Sequence, residues 1–126
     1  MTWAEMAQSS LNAARTVASE HPRASVSRSY YAAHVALTEQ LLGLGYVPPK
    51  GRQTQPHLQQ SKLIKENLTV DFRANVIKHL VAAFSRLYTR RIDADYKRTV
   101  TIDRRTALDS LRDAASVLRL FQVGEI

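Results

Sequence analysis

Apolar positions along this chain recur at helical spacing, and strand-like alternation is nearly missing. From Thr2 to about Ser19, the residues Trp3, Met6 or Ala7, Leu11 and Ala14 fall on one stripe. His21-Pro22 interrupts that pattern, and Pro22 suits the first turn of a second helix because a first-turn residue needs no amide proton. The second helix is predicted to run to about Leu44, with Val26, Tyr30, Ala33, Leu37, Leu41 and Leu44 on its core stripe. Gly43 and Gly45 mark its end, and Tyr46 to Gln55 reads as the one long loop. A short third helix follows from His57 to about Glu66, with Leu58, Leu63 or Ile64 turned inward. Asp71 is a candidate N-cap or first-turn acid for a long fourth helix. On that helix Ile77, Val81, Phe84, Tyr88, Arg91 and Asp95 form a stripe that is apolar for three turns and then charged. Thr101 or Asp103 would cap a fifth helix carrying Leu108, Leu111, Ala115, Leu118 and Phe121 or Gln122.

These elements predict an all-α, up-and-down bundle of four long or medium helices plus one short helix. Helices two and four, near 20 residues, would each be about 30 Å long and can pack side by side. A length of 126 residues accommodates one domain, spanning 1–126, with a core of its own.

Composition narrows the function. Hydrophobic residues make up 44% and charged residues 23%, an ordinary globular balance. Cysteine is absent, which removes disulfides, thiol nucleophiles and thiolate metal sites, and points to a reducing cytoplasm. The start of the chain lacks the basic and apolar blocks of a signal peptide, and no apolar run is long enough to span a bilayer. Eighteen Lys and Arg against 11 Asp and Glu give a net charge of +7, which attracts polyanions. Arg86, Arg90, Arg91, Lys97, Arg98, Arg104 and Arg105 concentrate that charge, opposed locally by Asp93, Asp95 and Asp103.

Two short segments stand out: Ser27-Arg28-Ser29-Tyr30-Tyr31-Ala32-Ala33 on the second helix, and Arg91-Ile92-Asp93-Ala94-Asp95-Tyr96 ending the fourth. Ala24 to Leu42 resembles the second helix of the HEPN family, in which a basic residue precedes a Tyr-Tyr-Ala run. Arg91 to Tyr96 is similar to the R-x-x-A-D-Y signature of one prokaryotic branch. His57 falls where a Thr-His or Lys-His pair often opens that family's third helix, here with Pro56 before it. The resemblance covers nearly the whole chain.

That resemblance implies RNA biology. Many HEPN domains are metal-independent endoribonucleases of toxin–antitoxin, anti-phage and CRISPR-linked systems, usually dimeric. It implies a cytoplasmic protein with no cofactor and no metal. Its candidate partners are RNA, a second copy of the chain, and a nucleotidyltransferase or antitoxin protein. The family's catalytic signature is R-x4-6-H, where a histidine takes a proton and an arginine stabilises the phosphorane. By position, Arg91, Asp95 and Tyr96 are the catalytic candidates. Arg28, Tyr31, His34, Arg90, Lys97 and Arg98 are candidates for contact with RNA or a partner.

This chain departs from the signature, because Tyr96 stands where the histidine belongs and no histidine follows His79. Tyrosine, with a reference pKa near 10, is a poor base near neutral pH. Two readings therefore stand. Either Arg91, Asp95 and Tyr96 handle RNA phosphate, or Arg91 and Asp95 form an ion pair, hydrogen-bonded to Tyr30 or Tyr31, in a non-catalytic interaction module. Arg28 with His34 and Arg73 with His79 match the signature by letter. However, six residues rotate roughly 600° along a helix, which leaves such side chains about 120° apart. A histidine opening a short helix, as His57 does, is by itself a helix-start residue.

Overall fold

The computed structural model describes residues 1–122. Among these, five α-helices follow one another: α1 (Trp3–Val17), α2 (Pro22–Gly43), α3 (Gln60–Asn67), α4 (Ala74–Tyr96) and α5 (Arg104–Leu120). A single 3-10 turn, His57–Gln59, leads into α3, and no strand is present among the described residues. The expected all-α bundle is what forms.

Local chemistry sets the helix ends. Thr2 Oγ1 accepts from the Glu5 amide at 3.0 Å to start α1, and Asp103 Oδ1 accepts from the Thr106 amide at 2.9 Å to start α5. Past α2, the amide of Gly45 donates to the Leu42 carbonyl and that of Tyr46 to the Leu41 carbonyl. This paired closure requires a left-handed residue, and Gly45 supplies it with φ of +90°. Asp71 does not cap α4. Its amide bonds back to Leu68 in the turn after α3, and the N-cap is Arg73, without a side-chain bond.

α2 is the central helix. Its buried residues run around the whole circumference, from Ser25 and Val26 through the unbroken stretch Ala32 to Thr38, because α1, α4 and α5 all pack against it. Small clustered residues, Ala18, Val26, Ala94 and Ala107, bring together the ends of α1 and α4 and the beginnings of α2 and α5. α1 and α4 therefore run one way and α2 and α5 the other, so α2 lies antiparallel to α1 and α4 and parallel to α5. The larger core of Tyr30, Leu37, Leu41, Ile64, Leu68, Leu80, Phe84 and Leu87 fills the rest.

Three expected positions are corrected. Leu58 is 83% exposed, because the 3-10 turn rotates it off the face that buries Leu63 and Ile64 in α3. Leu44 is 41% exposed, since it caps α2 rather than continuing its stripe. On α5 the first turns bury Ala107, Ser110 and Ala114, one residue before the expected Leu108, Leu111 and Ala115, while Leu118 and Phe121 are buried as expected. Alanine and serine face α2 because only small side chains allow so close an approach, while Leu108 and Leu111 sit at the flanks.

Candidate functional site

Ser27, Tyr30, Tyr31 and His34 lie within two turns of α2, at spacings that put them on one side of the helix. That side meets the last turns of α4 and the loop leading into α3. Together Trp3, Tyr31, Gln53, Thr54, His57 and Arg91 help to wall a cleft of about 310 Å³, with Tyr30 and His34 in its floor.

Arg91 is the cation of the cleft. Its Nε donates to Asp95 Oδ2 at 2.9 Å, and its guanidinium lies over the rings of both Tyr30 (5.5 Å) and Tyr96 (5.4 Å). Asp95 in turn accepts from Ser27 Oγ at 3.2 Å. Asp95 thus bonds the serine of the Ser-Arg-Ser-Tyr-Tyr segment and neither tyrosine, while Tyr30 meets the arginine through its ring face. The two sequence segments are joined by this contact.

Beneath Arg91 sits a polar cluster. The rings of His34 and His57 stack with centroids 4.4 Å apart. His57 Nδ1 makes a short hydrogen bond with the Tyr30 hydroxyl. Gln60, the first residue of α3, donates from Nε2 to that same hydroxyl at 2.8 Å, and its Oε1 is 2.8 Å from His34 Nδ1. Gln55 donates to Gln60 Oε1 at 3.0 Å and to the His34 carbonyl at 2.9 Å, and accepts from Thr38 Oγ1 at 2.6 Å. His34 Nε2 pairs with Thr54 Oγ1 at 3.1 Å. Gln55, Gln60, Thr38 and His34 are each at most 2% exposed, so polar groups here must satisfy one another.

The electrostatics follow from that burial. Loss of solvation pushes the His34 pKa down to about 4, aided by the nearby His57 and Arg91 and opposed by the Gln60 hydrogen bond. His57 is shifted down too, by burial first and then by Arg91 and Arg52. Burial raises the Tyr30 phenol well above its ordinary range. The histidines are neutral at pH 7 and the phenol keeps its proton.

The other candidates lie elsewhere. Arg90 pairs with Asp113 at 2.8 Å on the face between α4 and α5, where Arg86 bonds the same carboxylate at 2.9 Å. Burial raises the Asp113 pKa, but the two arginines outweigh it and hold the carboxyl below its usual range. Lys97 pairs with Asp93 at 3.4 Å, and Arg98 is exposed beyond the end of α4. Arg28 is exposed over a neighbouring groove that shares Met6 and Tyr31 with the cleft. His34, 2% exposed, lies beneath the surface of the cleft, whereas His57 is half-buried.

Sequence reasoning missed three contributors. Gln55 and Gln60 carry no motif and become visible only when α3 folds onto α2. Arg23 reaches from the first turn of α2 to the end of α4, donating to the carbonyls of Asp93 (3.2 Å), Ala94 (2.9 Å) and Val100. It thereby satisfies the Ala94 carbonyl, which the last turn of α4 leaves unpaired, and ties the end of α4 to the first turn of α2. A signal existed only in its position, one residue after the helix-opening proline.

Fold and site define a helical bundle with an arginine and two neutral histidines converging on one cleft, drawn from separate helices. The chain matches the HEPN domain family over residues 1–124, and it belongs to that family. Comparison with curated proteins and with solved structures returned no match. Among the described residues, no helix is long and apolar enough to cross a membrane.

Proposed function

We propose that this HEPN protein binds single-stranded RNA through the cleft, as a component of a prokaryotic toxin–antitoxin or anti-phage defence system. The observation that carries the reading is the convergence of Arg91 with His57 above the buried His34. A guanidinium that is only 22% exposed is a strong phosphate partner, because weak solvation leaves its donors available. Tyr31, 41% exposed at the rim, offers a face on which a base can stack. Arg28 and Arg52, exposed nearby, add long-range attraction for the RNA backbone. Metal-independent cleavage would also need an acceptor for the 2′-hydroxyl proton. Asp95, already bonded to Arg91 and Ser27, is poorly placed for that task. Binding is therefore favoured over cutting.

Family membership alone supports two further parts of this reading, a homodimer and an antitoxin or nucleotidyltransferase partner. Light scattering that finds a monomer at tens of micromolar removes the first of these.

Fluorescence anisotropy with labelled single-stranded RNA in EDTA tests the core of the proposal. Binding should weaken at least tenfold in Arg91→Ala, a loss of about 1.4 kcal/mol or more, and should decline with added salt. Circular dichroism confirms that the variant is folded. RNA that is neither bound nor cut by the wild type overturns the reading. RNA that is cut in EDTA by the wild type but not by Arg91→Ala replaces binding with cleavage.

A further inference from the structure

We propose that a directed chain of hydrogen bonds, running from the His34 backbone carbonyl through Gln55, Gln60 and Tyr30, holds His57 as the neutral Nε2–H tautomer. His57 then donates to RNA phosphate as an uncharged ligand. This rests on the RNA-binding reading for its ligand, but not for its geometry.

The direction of the chain follows from donor and acceptor accounting. A backbone carbonyl only accepts, so the Gln55 atom 2.9 Å from the His34 carbonyl is its NH₂. The second proton of that NH₂ points to the Gln60 atom 3.0 Å away, which must be the amide oxygen. Turning Gln60 over would set two NH₂ groups against each other, so its NH₂ faces the Tyr30 hydroxyl at 2.8 Å. The Tyr30 oxygen is thereby an acceptor from Gln60, and its own proton goes to His57 Nδ1. A neutral imidazole that accepts at Nδ1 carries its proton on Nε2.

The side branches agree with this wiring. Gln60 Oε1, already an acceptor, requires a proton on His34 Nδ1 at 2.8 Å, which leaves His34 Nε2 to accept from Thr54. Thr38 donates to the Gln55 oxygen at 2.6 Å. The close approach of Gln55 Nε2 to His34 Nδ1, 3.3 Å, is then two donors converging on one Gln60 oxygen. Reversing either glutamine sets like groups against each other, and reversing the last link leaves the Tyr30 proton without an acceptor.

The consequence is chemical. An Nε2–H group gives a phosphoryl oxygen a hydrogen bond and has no lone pair with which to take the 2′-hydroxyl proton. Protonating His57 instead would put a proton at Nδ1, facing the proton of Tyr30. The charged and titratable groups facing His57 are Arg91 and Tyr88 from α4, Arg52 from the loop, and Tyr30 and His34 from α2. Tyr30, Gln60 and Gln55 are positioning residues, acting on the ligand only through His57.

Long-range ¹H–¹⁵N NMR of the free protein reads the tautomer directly. The expected result is a protonated Nε2 and an unprotonated Nδ1 on His57. A protonated Nδ1 overturns the proposal whatever RNA does. In Tyr30→Phe, which keeps the ring but removes the donor, a mixture of tautomers should appear, and affinity for labelled single-stranded RNA should fall several-fold. If Tyr30→Phe fails to fold, the wild-type spectrum still decides. Wild-type RNA affinity at constant salt should be flat from about pH 6.5 to about pH 8, since the ligand histidine carries no charge to lose. A tenfold weakening across that window overturns the neutral-ligand assignment. The expected tautomer without RNA binding would sink the RNA reading alone, and titration with inorganic phosphate, followed at the His57 Nε2–H, would then test the anion site. No perturbation by phosphate overturns the ligand role.

Discussion

Acidification from about pH 7 to about pH 4.5 should destabilise the fold by about 2.5 kcal/mol through His34 alone. His34 is 2% exposed, and burial pushes its pKa down to about 4, against about 6.5 in an unfolded chain. A histidine whose folded pKa is depressed favours the native state fully above its unfolded pKa. As the pH falls below about 6.5, the unfolded chain takes up a proton that the native state refuses, and stability declines by up to about 1.4 kcal/mol per pH unit. The decline levels off near pH 4, where native His34 protonates as well, for a total near 3 kcal/mol. His57, shifted in the same direction, adds to the slope. The depressed carboxyls of Asp113 and Asp103 lose their contribution as the pH falls from the unfolded value, about 3.9, through their lower folded ones, so the window above isolates the histidines. Urea unfolding at several pH values measures the effect. His34→Gln keeps a donor and an acceptor but cannot titrate, so its profile should be flatter by about 2.5 kcal/mol between the two limits. Equal wild-type stability at both limits, or an unchanged slope in His34→Gln, would refute the burial argument.

Two other outcomes are expected from the packing. Arg23→Ala should cost about 2–3 kcal/mol in urea unfolding, because it strips charge-assisted bonds from the Ala94 and Val100 carbonyls, and amide exchange should speed up after Tyr96. Normal protection there would show that the α4 terminus holds itself. Ala114→Leu should destabilise by about 1–3 kcal/mol through overpacking against α2, whereas Leu108→Ala at the flank should cost less. Parity between the two in thermal melts would undo the one-residue shift assigned to α5.

Much of this molecule was legible along the chain. Helix count, order and approximate bounds followed from periodicity and from His21-Pro22, Gly45 and Asp103, because these signals act within a turn or two. Which face each helix buries was less legible. On the first turns of α5, leucine spacing pointed one residue away from the true contact line, since inter-helix distance, set by alanine and serine, decided the fit there, while Leu118 and Phe121 followed the stripe.

The site divides in the same way. Arg91 to Tyr96 and Ser27 to Ala33 were conspicuous as segments, and rotation about a helix axis correctly ruled out Arg28 with His34 and Arg73 with His79 as local pairs. No linear spacing could show that His57 would stack on His34 or that Arg91 would lie over Tyr30. Those partners sit on separate elements, brought together by burial of the apolar faces of α2, α3 and α4. By itself the sequence determined a helical bundle and an arginine lacking its sequence-adjacent histidine. Tertiary packing alone decided that two histidines would stand beside that arginine, neutral because burial removes their water.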